Sequence, residues 1–424
     1  MRSLQLFLAG ALAACSWSGI PEQEVLLVRA KQRMAENLAR LPNYTCTQTI
    51  ERFRSQTPNG RLEFFDRLRL EVALADRKEL FAWPGAAKFE EADVRDFVRH
   101  GMIGTGNFAL HAKALFVSRE PTFTYVGEET LDGRRAVRFD FRAPQLTSGY
   151  RLESGGHQAV VSYHGSFWAD FETLDLLRLE VHADDIPPEL GISQASDMLW
   201  YAPTRIGASA FLLPVRSELT MADLAGRTDQ NRTTFSGCRQ YLGESTVSFA
   251  EPPPAAPVNA RRLPETSLPE GLRLEVALQT MIDSDTSAVG DPLRATLVRP
   301  LSNPATPPVE KDAVVEGRIV RLERRASPIE HFLVGLRFSA LESGPARAEF
   351  TAALEKIRVR SGSHAQVVRV SQGKGTYTLV RRYAEFTGTV EGPRPGVGLL
   401  LIDGARVRLP TGTLMTWVTA PRTR

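Results

Sequence analysis

The sequence predicts a mainly β protein, an α+β first domain followed by a small all-β second domain. Three observations lead there. At 424 residues the chain exceeds what one ordinary hydrophobic core organises, so two domains are expected. Gly165 to Pro188 reads as an antiparallel hairpin: Val161, Tyr163, Phe167 and Ala169 share one face of its first strand, and Leu177, Leu179, Val181 and Ala183 one face of its second. Asp170 to Thr173 supplies a turn between them, with side chains that bond local backbone. Finally, Glu251 to Glu270 contains EPPPAAP and two more prolines but few large apolar residues. It reads as an extended linker between domains at 21–250 and 271–424.

Residues 1–20 come first. MRSLQLFLAGALAAC has a basic residue at Arg2, an apolar run from Leu4 to Ala14 and small residues before a cysteine, which is an export signal and not a membrane-spanning helix. Leu12, Ala13, Ala14 and Cys15 resemble the lipobox of bacterial lipoproteins. That resemblance implies lipidation of Cys15, which would hold the protein on a membrane, since each buried methylene contributes roughly 0.8 kcal/mol and two acyl chains anchor stably. Ordinary cleavage near Ala13 is the other outcome. With Cys15 lipidated, Cys46 and Cys238 remain as an even pair in an oxidising compartment, and a disulfide between them is expected, against two separately buried thiols.

Pro21 to Leu41 predicts a helix: Val25, Leu26, Val28, Met34, Leu38 and Leu41 form an apolar stripe, Pro21 suits the first turn and Pro42 stops it. Strands follow at 44–54, 61–74 and 78–83, the first two joined through Pro58, Asn59 and Gly60. Ala87 to Val117 turns helical. Val94, Phe97 and Val98 share a face, GMIGTG breaks the pattern, and Asn107 is placed to cap a second helix with Phe108, Ala112, Leu115 and Phe116 on one side. Helices inserted between strands must bury such faces on the sheet. Strands resume at 122–130, 134–142, the central hairpin, 196–206, 210–220 and 230–249.

A helix followed by a long antiparallel sheet with helices inserted midway resembles, over residues 21–250, the curved half-barrel of the lipoprotein-localisation factors of the LolA and LolB type. NYTCTQTIERF, GTGNF, FWADFETLDLLRLEVHADDIP and FSGCRQYLGES further resemble segments of exported bacterial proteins of no known activity. The half-barrel resemblance implies a sheet face that receives acyl chains beneath a helical lid. Val94, Phe97, Phe108, Leu115 and Phe116 would line that lid; the plainer alternative is that they fill a core.

Beyond the linker, Leu272, Leu274, Val276 and Leu278 alternate on one strand face. Further strands are predicted at 293–299, 313–324, 332–341, 347–359, 376–390, 397–402, 405–409 and 413–419, with Asp403 and Gly404 forming a type I′ hairpin turn. A small barrel or sandwich is expected. VGDPLRATLVRPL, VVEGRIVRLE and LPTGTLMTWV resemble the β-rich periplasmic domain of TrbI-type conjugation proteins, which implies the fold alone. From Gly271 onward 22 Lys and Arg stand against 15 Asp and Glu, but the excess is Arg spread along strands. It reads as a solvated sheet face, and no nucleic-acid partner is expected.

No catalytic constellation emerges. Asp283, Asp285 and Ser287 begin like a calcium loop, but Arg294 stands where the bidentate Glu belongs, which leaves a surface turn. Gly373, Lys374 and Gly375 lack the earlier glycine of a phosphate loop and read as a hairpin turn. His164 and His182 share the polar face of the central hairpin near Glu180, but cross-strand polar pairs outnumber zinc sites in such positions. Neither metal nor cofactor is expected. The expectation is a non-enzymatic exported protein of the periplasm, anchored by lipid to the outer membrane, that binds an apolar ligand, a lipoprotein acyl chain or an envelope partner. A scaffold without a ligand cavity and an enzyme with scattered residues are the alternatives.

Overall fold

The computed structural model describes residues 22–75, 78–86, 89, 94–97, 101–104, 108, 110–117, 121–241, 266–303, 306–344, 346–359, 365–368, 374–381, 384–391 and 395–421. The export signal with Cys15, most of the linker and Asn107 lie outside the described residues.

The first lobe opens with α1 (Glu22–Arg40), close to the predicted span. Glu22 and Glu24 in its first turn and Arg40 in its last suit the helix dipole. It buries Ala30 and Met34 on the sheet, with Leu26, Leu27 and Leu38 packed beside them. The chain continues through β1 (Tyr44–Ser55), β2 (Leu62–Ala75), β3 (Lys78–Ala82), the short helices α2 (Val94–Phe97) and α3 (Leu110–Phe116), β4 (Thr122–Leu131) and β5 (Arg134–Ala143). Then come β6 (Arg151–Ser154), β7 (His157–Val160), β8 (Ser162–Asp170), β9 (Leu176–Asp184), β10 (Ile192–Ile206), β11 (Ser209–Asp223) and β12 (Thr228–Gln240). The small β6–β7 hairpin, turned by Gly155 and Gly156, was not anticipated from the sequence.

The other strands form one curved, ten-stranded antiparallel sheet in the order β3-β2-β1-β12-β11-β10-β9-β8-β5-β4. Strands β8 and β9 are the central hairpin. Asp170 Oδ1 accepts bonds from the Glu172 and Thr173 amides, both at 3.0 Å, so the turn is closed as its composition requires. A register shift between Trp168 and Ala169 turns Leu176 inward, buried, where the alternation had placed Leu177. Gly165 is sterically demanded there: a Cβ would lie 1.9 Å from the Glu180 carbonyl oxygen and 2.7 Å from the Phe141 ring. Cys46 and Cys238 are disulfide-bonded with Cα atoms 4.1 Å apart, fastening β1 to β12 across 192 residues of sequence.

One face of this sheet, the inner one, carries Phe139, Phe167, Leu179, Leu199, Leu70 and Val72, and the helices cover it. The outer face is charged and aromatic. Across successive strands a single row runs Arg69, Thr49, Thr234, Arg216, Trp200, Arg178, Trp168, Arg138, each residue directly paired with the next. A neighbouring row, from Arg67, Glu51, Arg232 and Glu218 to Met198, Glu180, Ser166 and Asp140, supplies counter-ions. Cations at alternate places in the first row lie over indole faces, a favourable arrangement for a solvated sheet surface.

The second lobe is a nearly closed, barrel-like sheet ordered by the strands 266–267, 346–349, 331–343, 314–325, 292–297, 273–278, 414–420 and 351–358, with 398–403 pairing both 331–343 and 365–368. Phe338 and Trp417 meet edge to face at 5.2 Å in its core. The predicted strand 376–390 is instead two, 374–381 and 384–391, paired as a hairpin that begins with Lys374 and Gly375, which are thus strand residues and not a turn. The predicted strand 347–359 likewise divides at Phe350, whose amide bonds back to Ser339. Asp403 and Gly404 do not make the expected I′ hairpin. Only Gly404 has positive φ, its amide donates to the Glu330 carbonyl, and the following strand 408–409 pairs with 282–283.

The lobes are clasped together. β3 pairs only the end of β2 from Glu71 onward, so the earlier part of that strand edge is open, and Val289 pairs there with Leu68: Arg69 N donates to Val289 O and Val289 N to Arg67 O, both at 2.8 Å. Arg67 donates to the Asp285 carbonyl at 2.7 Å and Arg69 pairs with Asp291 at 2.5 Å. Gly290, at φ +103°, makes the approach possible, since a Cβ would stand 2.3 Å from the Arg69 carbonyl oxygen and 2.8 Å from Trp83. Asp283, Asp285 and Ser287 belong to this clasp and not to a free surface turn: Ser287 is buried and its hydroxyl accepts the Asp283 amide at 3.0 Å.

Candidate functional site

The inner face of the first lobe is the candidate site. Alternation in each strand turns one set of large apolar side chains inward, and pairing lines them up across the sheet. Phe139 stacks on Phe167 with ring centroids 5.1 Å apart, and Phe123 and Phe116 meet Phe167 edge on. The band continues through Leu179, Leu199 and Leu213 to Phe235, Leu70 and Val72.

What covers it is one long helix and two short ones. α1 crosses the face and is tied down at several points. Arg33 pairs with Asp175 at 2.8 Å, Lys31 sits over Phe123, and Asn37 accepts from the Leu212 amide and donates to its carbonyl where β11 lacks a β12 neighbour. The remainder is α2, of four residues, α3, of seven, and the chain around them. Helices this short have no independent stability, so their side-chain contacts hold them in place. The five residues predicted for a lid divide between the two ends of this cover. Val94 and Phe108 join Tyr44, Phe211 and Phe235, with the Phe108 ring tilted against Tyr44 at 4.7 Å and against Phe235 at 5.3 Å. Leu115 and Phe116 pack at the other end, beside Phe139 and Phe167. Phe97 is half-buried between the lobes, against Trp83. All of them face inward, with Val94, Phe108, Leu115 and Phe116 buried.

A polar cluster beneath this cover was not singled out in the sequence. His111, on α3, has Nε2 at 3.4 Å from Asp197 Oδ2 on β10, without hydrogen-bond alignment, and its ring meets Tyr150 edge on at 5.7 Å. Burial pushes the His111 pKa down, but the Asp197 carboxylate, helped by Glu79, outweighs it and holds the imidazole above its ordinary value. Burial, followed by the charge of Asp197, raises the Tyr150 and Tyr201 phenols, and burial raises Tyr44 well above its usual range. These phenols stay protonated and can donate. Tyr44 Oη and Gln48 Oε1 are buried with no hydrogen-bond partner among the described residues. Buried orphan polar atoms cost roughly 1–3 kcal/mol each, and a polar group entering beneath the cover would relieve that cost.

The arrangement can hold a proton at His111 and offer donors to a polar group entering beneath the cover. Elsewhere, His164 and His182 stack at 5.3 Å on the outer face, and His164 bonds Asp184 at 2.8 Å in place of Glu180. Among the described residues no three His, Cys, Asp or Glu side chains converge as metal ligands.

No family model matches the chain, and no curated protein matches it. Solved structures similar to it include a LolA superfamily protein from Nitrosomonas europaea, at 11% identity and a TM-score of 0.27, covering 52% of this chain and 94% of that one. A DUF1329 family protein from Desulfovibrio piger matches at 11% identity and a TM-score of 0.29, over 51% of this chain and 94% of the other. MucB, in its complex with MucA(peri), matches at 11% identity and a TM-score of 0.18, over 90% of this chain and 93% of its own.

Proposed function

We propose that this is an exported cell-envelope protein whose first lobe takes up an apolar chain, a lipid or lipoprotein acyl group, on the inner face of its sheet, without catalysis. The observation that carries the reading is the mismatch between floor and cover: two apolar clusters of the inner face, one around Phe139 and Phe167 and one around Leu70 and Phe235, are closed in part by helices of four and seven residues. The long helix α1 is tied to the sheet by Arg33 and Asn37 and stays in place. The shorter pieces can be displaced, and Tyr44, whose hydroxyl is orphaned, packs against Phe108 of the cover. The disulfide favours an oxidising compartment and hence export, with the periplasm and a lipid anchor at Cys15 as the finer reading.

Titration of the full chain with a fluorescent polyene fatty acid tests this. Saturable uptake is expected, and Phe108→Ala, which removes the ring standing over Tyr44, is expected to increase it. Absence of uptake by both proteins would overturn the proposal. That result would instead favour a scaffold in which Val94, Phe108, Leu115 and Phe116 are simply core, a reading that their complete burial supports.

A further inference from the structure

The outer face of the same lobe carries a second feature that acyl binding does not use. Along its central row, Arg178 lies between two indoles, 5.0 Å from Trp168 and 5.6 Å from Trp200, and Arg138 lies 5.2 Å from Trp168. Arg216, the next cation, is stacked at 3.7 Å on Trp200 alone. On its other side the row drops to Thr234, where the alternation would place a ring, and then to Thr49, where it would place a cation. They leave a hollow of about 410 Å³ lined by Thr49, Glu51, Arg216, Glu218, Arg232 and Thr234.

We propose that this break in the ladder is a docking site for an aromatic side chain of a protein partner. Arg216 has no carboxylate partner among the described residues, and it is exposed. Arg232, on the opposite wall, is already held by Glu218 at 3.6 Å and Gln230 at 3.0 Å and lies over Phe53. The lining charges cancel, two Arg against two Glu, so a simple anion gains little there. A π face gains what Trp200 already gains from Arg216, and the Thr hydroxyls can accept an indole N–H. Aromatic side chains seated in pockets against Arg are the usual anchors of protein interfaces.

The test uses isotope-labelled full-length protein and three probes: N-acetyltryptophanamide, N-acetylleucinamide and inorganic phosphate. The tryptophan amide is expected to shift the Arg216 and Thr234 amide signals saturably, about fivefold more tightly than the leucine amide. Thr234→Trp, which fills the gap from within on an exposed position, is expected to abolish those shifts, and Arg216→Ala to weaken binding about fivefold. Equal binding of the leucine amide, phosphate binding in the hollow instead, or tryptophan-amide shifts that survive Thr234→Trp would each overturn the proposal.

Discussion

At the scale of single residues, two histidines titrate against folding in opposite directions. His111 is held above its ordinary pKa of 6.5 by Asp197, so its contribution is complete below that value and is lost as pH rises through the higher folded value. His331 is the reverse. Burial lowers its pKa, partly offset by the Ile329 carbonyl, and its ring lies between that oxygen at 2.6 Å and the Tyr377 hydroxyl at 2.7 Å. Its contribution is complete above 6.5 and is lost as pH falls through the lower folded value. His111→Gln is therefore expected to flatten the alkaline side of the unfolding-midpoint profile and leave the acid side unchanged; an unaltered alkaline limb would contradict the pairing with Asp197. Neither role was legible in the sequence. His111 and Asp197 belong to a helix and a strand far apart in the chain, and the alternation that buries Asp197 beside Leu199 is the same one that marks apolar positions.

Elements were far more legible. Period-two alternation located nearly every strand of the first lobe, because one face of each is buried and the other solvated, and that contrast is local. It failed in two places: the single strand read at 376–390 passed over a change of apolar phase, from Tyr377 and Leu379 to Phe386 and Val390, that marks two hairpin arms, and Gly404 bonds across to Glu330, a partner distant in sequence. The cysteine pairing was inferred from parity, and strand order explains it, since β12 returns to lie beside β1 and brings Cys238 against Cys46. In the chain-entropy account a bond across 192 residues contributes at most about 5 kcal/mol. Reduction, or Cys46→Ala with Cys238→Ala, is expected to shift the denaturant midpoint downward by a large part of that. Two free thiols counted in the denatured, unreduced protein would contradict it.

At the scale of the whole molecule, the two lobes that the sequence separated by a proline-rich linker prove to share a clasp and a hydrophobic cluster. Ile50 and Leu68 of the first lobe pack with Val289, Ile319 and Leu322 of the second, and Trp83, Phe97 and Ile103 fill the seam. Composition marks the linker, but nothing in Val289 or Gly290 announces a strand edge elsewhere to pair with. The cover of the inner face thus touches both lobes through Phe97, while its other end rests on the first lobe alone. The account stands on where an apolar chain goes. A fatty acid spin-labelled along its tail, added to protein with labelled methyl groups and indoles, reads this directly by paramagnetic broadening. Selective loss of the Leu179, Leu199 and Leu213 methyl signals, with the Trp168 and Trp200 indoles unaffected, is the predicted result; broadening confined to the outer face, or none at all, would contradict it.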